Sequence, residues 1–219
     1  MGWIQILILV VFLILLPIYI HAEKSWGFQK ATTCKLALSG TVLINACIGL
    51  FITPFWLMQG FVILALVFAF CGDYFLQFIK LDAKKFNIGI LCFSMTQVVL
   101  LVMMFLNAGV SWVEFVVLAG LLLLALILMT VQKWELGSAR IPLSVYTLLL
   151  ALMTGKAVSM LVATPSIHTA LLAMGAVLFF VSDLLLGIWN FRTNKRLHAN
   201  LNWVTYFCGI LLISFWLAV

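Results

Sequence analysis

Charge is scarce in this chain. Of its 219 residues only 8% are Asp, Glu, Lys or Arg, against roughly a quarter in an ordinary soluble domain. No stretch is both polar enough and long enough to make a separate soluble domain. Acids are scarcest, six against twelve basic residues. A net charge of +6 would suggest nucleic acid in a soluble protein. Here the basic residues sit in short loops between apolar runs, so membrane topology accounts for them and no nucleic-acid partner is expected. The five cysteines (Cys34, Cys47, Cys71, Cys92, Cys208) show no CxxC or Cys/His spacing, which argues against a zinc site and a disulfide framework. His21 and His198 fall in loops on one side and His168 at the opposite end of a helix, so no buried His/Asp metal centre is expected. There is no GxSxG elbow and no Ser/His/Asp set at a common depth.

Apolar residues, at 66%, make up the rest. Runs of about 17–25 apolar residues read as membrane-spanning helices. Eight occur, at roughly 3–20, 34–52, 57–79, 87–107, 113–132, 141–162, 167–190 and 201–218. The first lacks a basic leader and is long enough to span, so it is expected to be a retained helix rather than a cleaved signal. The expected fold is all-α, a polytopic membrane protein with eight transmembrane helices in one bundle and a single domain over 1–219.

The loops support that count. The first, third, fifth and seventh carry Lys24 and Lys30; Lys80, Lys84 and Lys85; Lys133 and Arg140; and Arg192, Lys195 and Arg196. The second, fourth and sixth carry no Lys or Arg. Basic loops stay in the cytoplasm, which places both termini on the non-cytoplasmic side of an integral membrane, the plasma membrane in a bacterium.

Against this background two stretches stand out, Phe70-Cys71-Gly72-Asp73-Tyr74-Phe75-Leu76 and Phe180-Val181-Ser182-Asp183-Leu184-Leu185-Leu186. Asp73 and Asp183 are the acids that lie well inside apolar segments. A carboxylate in hydrocarbon costs several kcal/mol or more, so an intramembrane acid points to function. Each is expected about seven residues before the cytoplasmic end of its helix, roughly 10 Å below the interface. Each belongs to the third helix of a half of four, consistent with a four-plus-four internal repeat.

Lys35, Tyr146 and Tyr206 (beside Thr205) can be placed near the same depth by helical rise. Ser182 precedes Asp183, Gln77 shares a face with Asp73, and Gln97 sits near the middle of the fourth helix. Lys35, Asp73, Tyr146, Asp183 and Tyr206 are expected to line a cytoplasm-facing cavity. A purely structural reading stands beside this, with Asp73 and Lys35 simply tying two helices together. Lys156 is expected to extend to the outer surface, and Glu114 to favour the start of the fifth helix at the outer interface.

These residues carry a resemblance. The chain resembles the YhhN family of membrane proteins, which includes the lysoplasmalogenases, in length, helix count, Lys35, Gly72-Asp73, Tyr146, Phe180-Val181-Ser182-Asp183 and Thr205-Tyr206. It departs from the family pattern at Leu36, where proline is usual, at Gln97, where a histidine is common nearby, and at Gly209-Ile210, where a glutamine is common. The resemblance implies hydrolysis of the vinyl ether bond of a lysophospholipid. Asp73 and Asp183 would be the catalytic pair, with Lys35, Tyr146, Ser182, Tyr206 and Gln97 binding substrate, and with no metal or cofactor. Its partners would be the lysophospholipid and the bilayer itself. Which aspartate is acid and which is carboxylate stays open at this point. The competing readings are a small proton-coupled transporter, a lipid-binding protein and a non-catalytic relative.

Overall fold

The computed structural model of the chain describes residues 2–78, 82–134, 136, 140–193 and 195–217. Among the described residues eight α-helices follow one another: α1 (Trp3–Ser25), α2 (Phe28–Gly49), α3 (Trp56–Leu76), α4 (Ala83–Asn107), α5 (Trp112–Val131), α6 (Arg140–Ala163), α7 (Ile167–Ile188) and α8 (Arg196–Ser214). A π-helical turn, Trp189–Thr193, continues α7. The all-helical polytopic fold expected from the apolar runs is therefore present. Seven of the helices are long and apolar enough to cross a membrane, making this a multi-pass membrane protein. The eighth, α8, falls short of that mark because Arg196, His198, Asn200 and Asn202 occupy its first two turns. Lys80, expected in a basic loop, lies outside the described residues.

The chain forms two compact units. Unit 1 comprises Met1–Val99 with Ser214–Val219, and unit 2 comprises Leu100–Ile213. In unit 1, α1 runs unbroken through Pro17, and Gly27, with φ of 80°, supplies the left-handed residue that turns the chain into α2. Helices α2 and α3 are antiparallel. Lys35 meets Asp73 near one end, and Gln59 Nε2 donates to the Ala46 carbonyl at 2.7 Å near the other. Helices α3 and α4 are also antiparallel. Thr96 Oγ1 donates to the Ala65 carbonyl at 3.1 Å, and the Phe93 ring fills the space a side chain would need at Gly72. Inside a bilayer, helices are held by close packing and by such hydrogen bonds rather than by water exclusion.

Unit 2 repeats the antiparallel pattern. Tyr146 with Asp183 and Thr154 with the Ala176 carbonyl join α6 to α7. The α7–α8 seam is closer still: a Cβ on Gly175 would lie 2.7 Å from the Gly209 carbonyl oxygen. Asn202 Nδ2 donates to the Ser182 carbonyl at 2.7 Å further along the same seam. Gly175→Val forces these backbones apart, a cost of about 1–3 kcal/mol or more, read as a lower midpoint of unfolding in detergent. An unchanged midpoint would mean that the seam is loose.

Two expectations need correction. The first concerns Lys156, which does not reach the outer surface; Glu114 does stand in the first turn of α5, as expected, but it is the partner of that lysine. Both are fully buried in unit 2, 0% and 1% exposed, and pair at 3.1 Å. Lys156 Nζ also donates to the Gly109 carbonyl at 2.5 Å and stands 4.4 Å from the centre of the Phe105 ring. The cause is the small residue beside it. Gly155 lets the backbone of α5 approach so closely that a Cβ there would lie 2.7 Å from the Glu114 carbonyl oxygen. The lysine is thereby turned inward. The second correction concerns depth. Helix α3 ends at Leu76, three residues beyond Asp73, whereas helical backbone continues from Asp183 through Thr193. Measured from the helix ends, the two aspartates are not equally deep.

Candidate functional site

Three of the polar residues expected to carry chemistry, Lys35, Tyr146 and Ser182, stand beside one or other of two carboxyl groups, one in each unit. In unit 1, Asp73 is almost fully buried, at 1% exposure. Lys35 Nζ stands 3.2 Å from its Oδ1, and Ser39 Oγ donates to its Oδ2 at 2.5 Å. Lys35 and Ser39 are one turn apart on α2, so a single face of that helix supplies both partners. Ser39 also lies 3.1 Å from the Lys35 carbonyl oxygen. A buried charge is tolerated when paired and hydrogen-bonded, and Asp73 meets both conditions.

Unit 2 treats its carboxyl group differently. Asp183 is half-buried, and the Tyr146 hydroxyl, from α6, donates to its Oδ2. Among the described residues no ammonium or guanidinium group stands within ion-pair distance of Asp183. Ser182 lies at the edge of hydrogen-bonding distance, its Oγ 3.4 Å from Asp183 Oδ1. The hydroxyl donates chiefly to the Phe179 carbonyl at 2.7 Å. One aspartate thus faces an ammonium and the other a phenol.

The remaining expected residues divide. Tyr206 is buried and packs edge-on against Phe179, one turn from Asp183 along α7, with ring centroids 5.4 Å apart. Gln97 is fully buried on α4, one turn from Phe93, and among the described residues neither amide atom has a hydrogen-bond partner. Buried polar groups are normally hydrogen-bonded, so Gln97 stands out among the described polar groups of unit 1.

Sequence reasoning missed three partners. Ser39 was legible as the residue one turn beyond Lys35. Asn202, which holds the backbone at Ser182, was legible as an amide inside an apolar run. Tyr19, fully buried on α1, where it donates to Glu23 Oε1 at 3.2 Å within the field of the Asp73 charge, carried no signal beyond being a tyrosine near a helix end.

The sequence profile of the YhhN family matches residues 31–217, from the first turn of α2 to the end of the described chain. The chain belongs to the YhhN family. Both aspartates and all the partners named above, Tyr19 excepted, fall inside the YhhN match. No curated protein and no solved structure matches the chain. What this YhhN protein does must therefore be argued from its own residues.

Proposed function

We propose that this protein is a membrane-embedded lysoplasmalogenase. It would hydrolyse the vinyl ether bond of a lysoplasmalogen to a fatty aldehyde and a glycerophospho-alcohol. The observation that carries the reading is the contrast between the two intramembrane carboxyl groups, one paired with Lys35 and one hydrogen-bonded by Tyr146.

The chemistry needs that contrast. A vinyl ether is cleaved by protonating the carbon β to the oxygen, which leaves an oxocarbenium ion on the α carbon. Water adds to the cation, its proton goes to a base, and the hemiacetal collapses to aldehyde and alcohol. One group must give a proton and another must carry negative charge, the division of labour that glycosidases make between two acids. Groups in different environments can hold those two roles at one pH. The ammonium partner supports the carboxylate role for Asp73. Asp183, with no cation among its described neighbours, takes the proton-donor role. Tyr146 fills its Oδ2 and leaves Oδ1 to carry the proton. Lys35 and the basic loops suit the phosphate of a lysolipid, with those loops facing the cytoplasm and both termini facing away.

The test is purified protein in detergent with a lysoplasmalogen. Aldehyde and glycerophospho-alcohol are expected in equal amounts. Substrate flux into proteoliposomes that follows a proton gradient, without aldehyde, would assign the carboxyl groups to transport instead. Tight lysolipid binding without turnover would make the protein a non-catalytic relative.

A further inference from the structure

Gly187 lies one turn beyond Asp183 on the same face of α7. It is buried, and the six-membered ring of Trp134, from the connection after α5, fills the space that a Cβ there would need. Side chains one turn apart on a helix have Cβ atoms about 5–6 Å apart, so a molecule held at the Asp183 carboxyl meets the edge of this indole next. Local structure fixes the ring in place. Lys133 holds φ of 50°, a left-handed conformation uncommon outside glycine, and the Trp134 amide then donates to the Met129 carbonyl at 3.1 Å. Trp134 Nε1 donates to Gln132 Oε1 at 3.2 Å. The indole stacks on Phe191, with ring centroids 6.2 Å apart and planes 28° from parallel. Phe191 belongs to the π-helical turn Trp189–Thr193, a distortion often found at functional sites. At this end of unit 2 the side chains of Lys133, Arg140, Arg192, Lys195 and Arg196 are exposed.

From the middle of α7 towards its end the order is therefore apolar helix, carboxyl group, indole, basic residues. A lysoplasmalogen has the matching order of alkenyl chain, vinyl ether, glycerol and phosphate. With the vinyl ether at Asp183 and the phosphate at the basic end, the glycerol is level with Trp134. The central glycerol carbon carries a hydroxyl in the lysolipid and an acyl ester in the intact, two-chain plasmalogen. We propose that Trp134 selects the single-chain lipid, an inference that rests on the hydrolytic reading. Its indole occupies room beside Gly187 that a second chain needs and a hydroxyl does not. The glycine matters as much as the tryptophan, because any side chain at 187 would displace the ring. Trp134 is thus a specificity residue and takes no part in moving the proton.

The test uses the full-length protein in detergent with two substrates of the same headgroup, a lysoplasmalogen and the corresponding two-chain plasmalogen, each assayed for aldehyde release. The quantity read is the ratio of kcat/KM for the first over the second. The wild type is expected to favour the lysolipid. In the series Trp134→Phe, Trp134→Leu and Trp134→Ala the ratio is expected to fall as the side chain shrinks. By alanine it should have fallen at least about tenfold, the low end of what one pocket contact discriminates. A purely structural role would lower the unfolding midpoint and slow both substrates in proportion. A ratio that stays constant along the series therefore overturns the proposal, whatever happens to the absolute rates. A wild type that cleaves both lipids equally well also overturns it and leaves the hydrolytic reading standing. If the wild type releases aldehyde from neither lipid, the hydrolytic reading fails and the selectivity falls with it.

Discussion

Asp183→Asn is expected to release aldehyde from a lysoplasmalogen at least about a thousandfold more slowly than the wild type, because an amide cannot protonate the vinyl ether and a positioned acid contributes factors of this size. The substitution is nearly isosteric, and its Oδ1 can still accept from Tyr146. Folding should therefore survive, and the loss should appear in kcat. Asp73→Asn is expected to stop turnover as well, but with a second effect. It leaves the Lys35 ammonium buried without a counter-charge, and breaking a buried pair in this way costs about 3–5 kcal/mol. The combination Lys35→Met with Asp73→Asn removes the stranded charge, so it should recover stability and remain inactive. Aldehyde yield and unfolding midpoints, measured on the same preparations, separate the two effects. Full activity in well-folded Asp73→Asn and Asp183→Asn would end the two-acid mechanism.

Lys156→Met is expected to be among the most destabilising single changes available in unit 2. Glu114 would be left 1% exposed with its cation gone, again about 3–5 kcal/mol. In a bilayer the unfolded reference state also finds partners for polar groups, which brings the value toward the lower end. Glu114→Leu should cost a similar amount by stranding Lys156, although the Gly109 carbonyl and the Phe105 ring retain part of the lysine's environment. The double variant should recover most of the loss, since replacing both charges by apolar groups of similar size is often neutral. Unfolding midpoints of the two single variants and the double give the coupling directly. Additive losses would show that the pair is not a unit.

The lesson for sequence reading lies in rotation and termination. The eight helices were legible because apolar length is one-dimensional information, and the bilayer sets the length. Asp73 and Asp183 were legible because a charge in an apolar run has few innocent explanations. Lys35 with Asp73 followed from the same logic. Lys156 was misread because its distance from a helix end says nothing about which way the helix faces. Gly155 held that information, but only in combination with the backbone of α5. Ser39 could be read from its place one turn beyond Lys35, whereas Tyr19 was hidden because tyrosine is ordinary near the ends of membrane helices. The unequal helix ends after the two aspartates had no warning, since residues 77 and 78 are neither glycine nor proline.

The polar first turns of α8 bear on how the protein is made. A helix carrying arginine, histidine and two asparagines partitions poorly from the translocon into lipid, whereas α5, whose described buried residues are only Glu114 and Ala125, can enter without help. What α8 lacks in apolarity it finds in α7: the glycine seam at Gly175 and Gly209 and the carbonyl that receives Asn202 are both in place once α7 has inserted. In biosynthesis α8 is thus expected to enter the membrane against an α7 already in place, one helix serving as the insertion template for another.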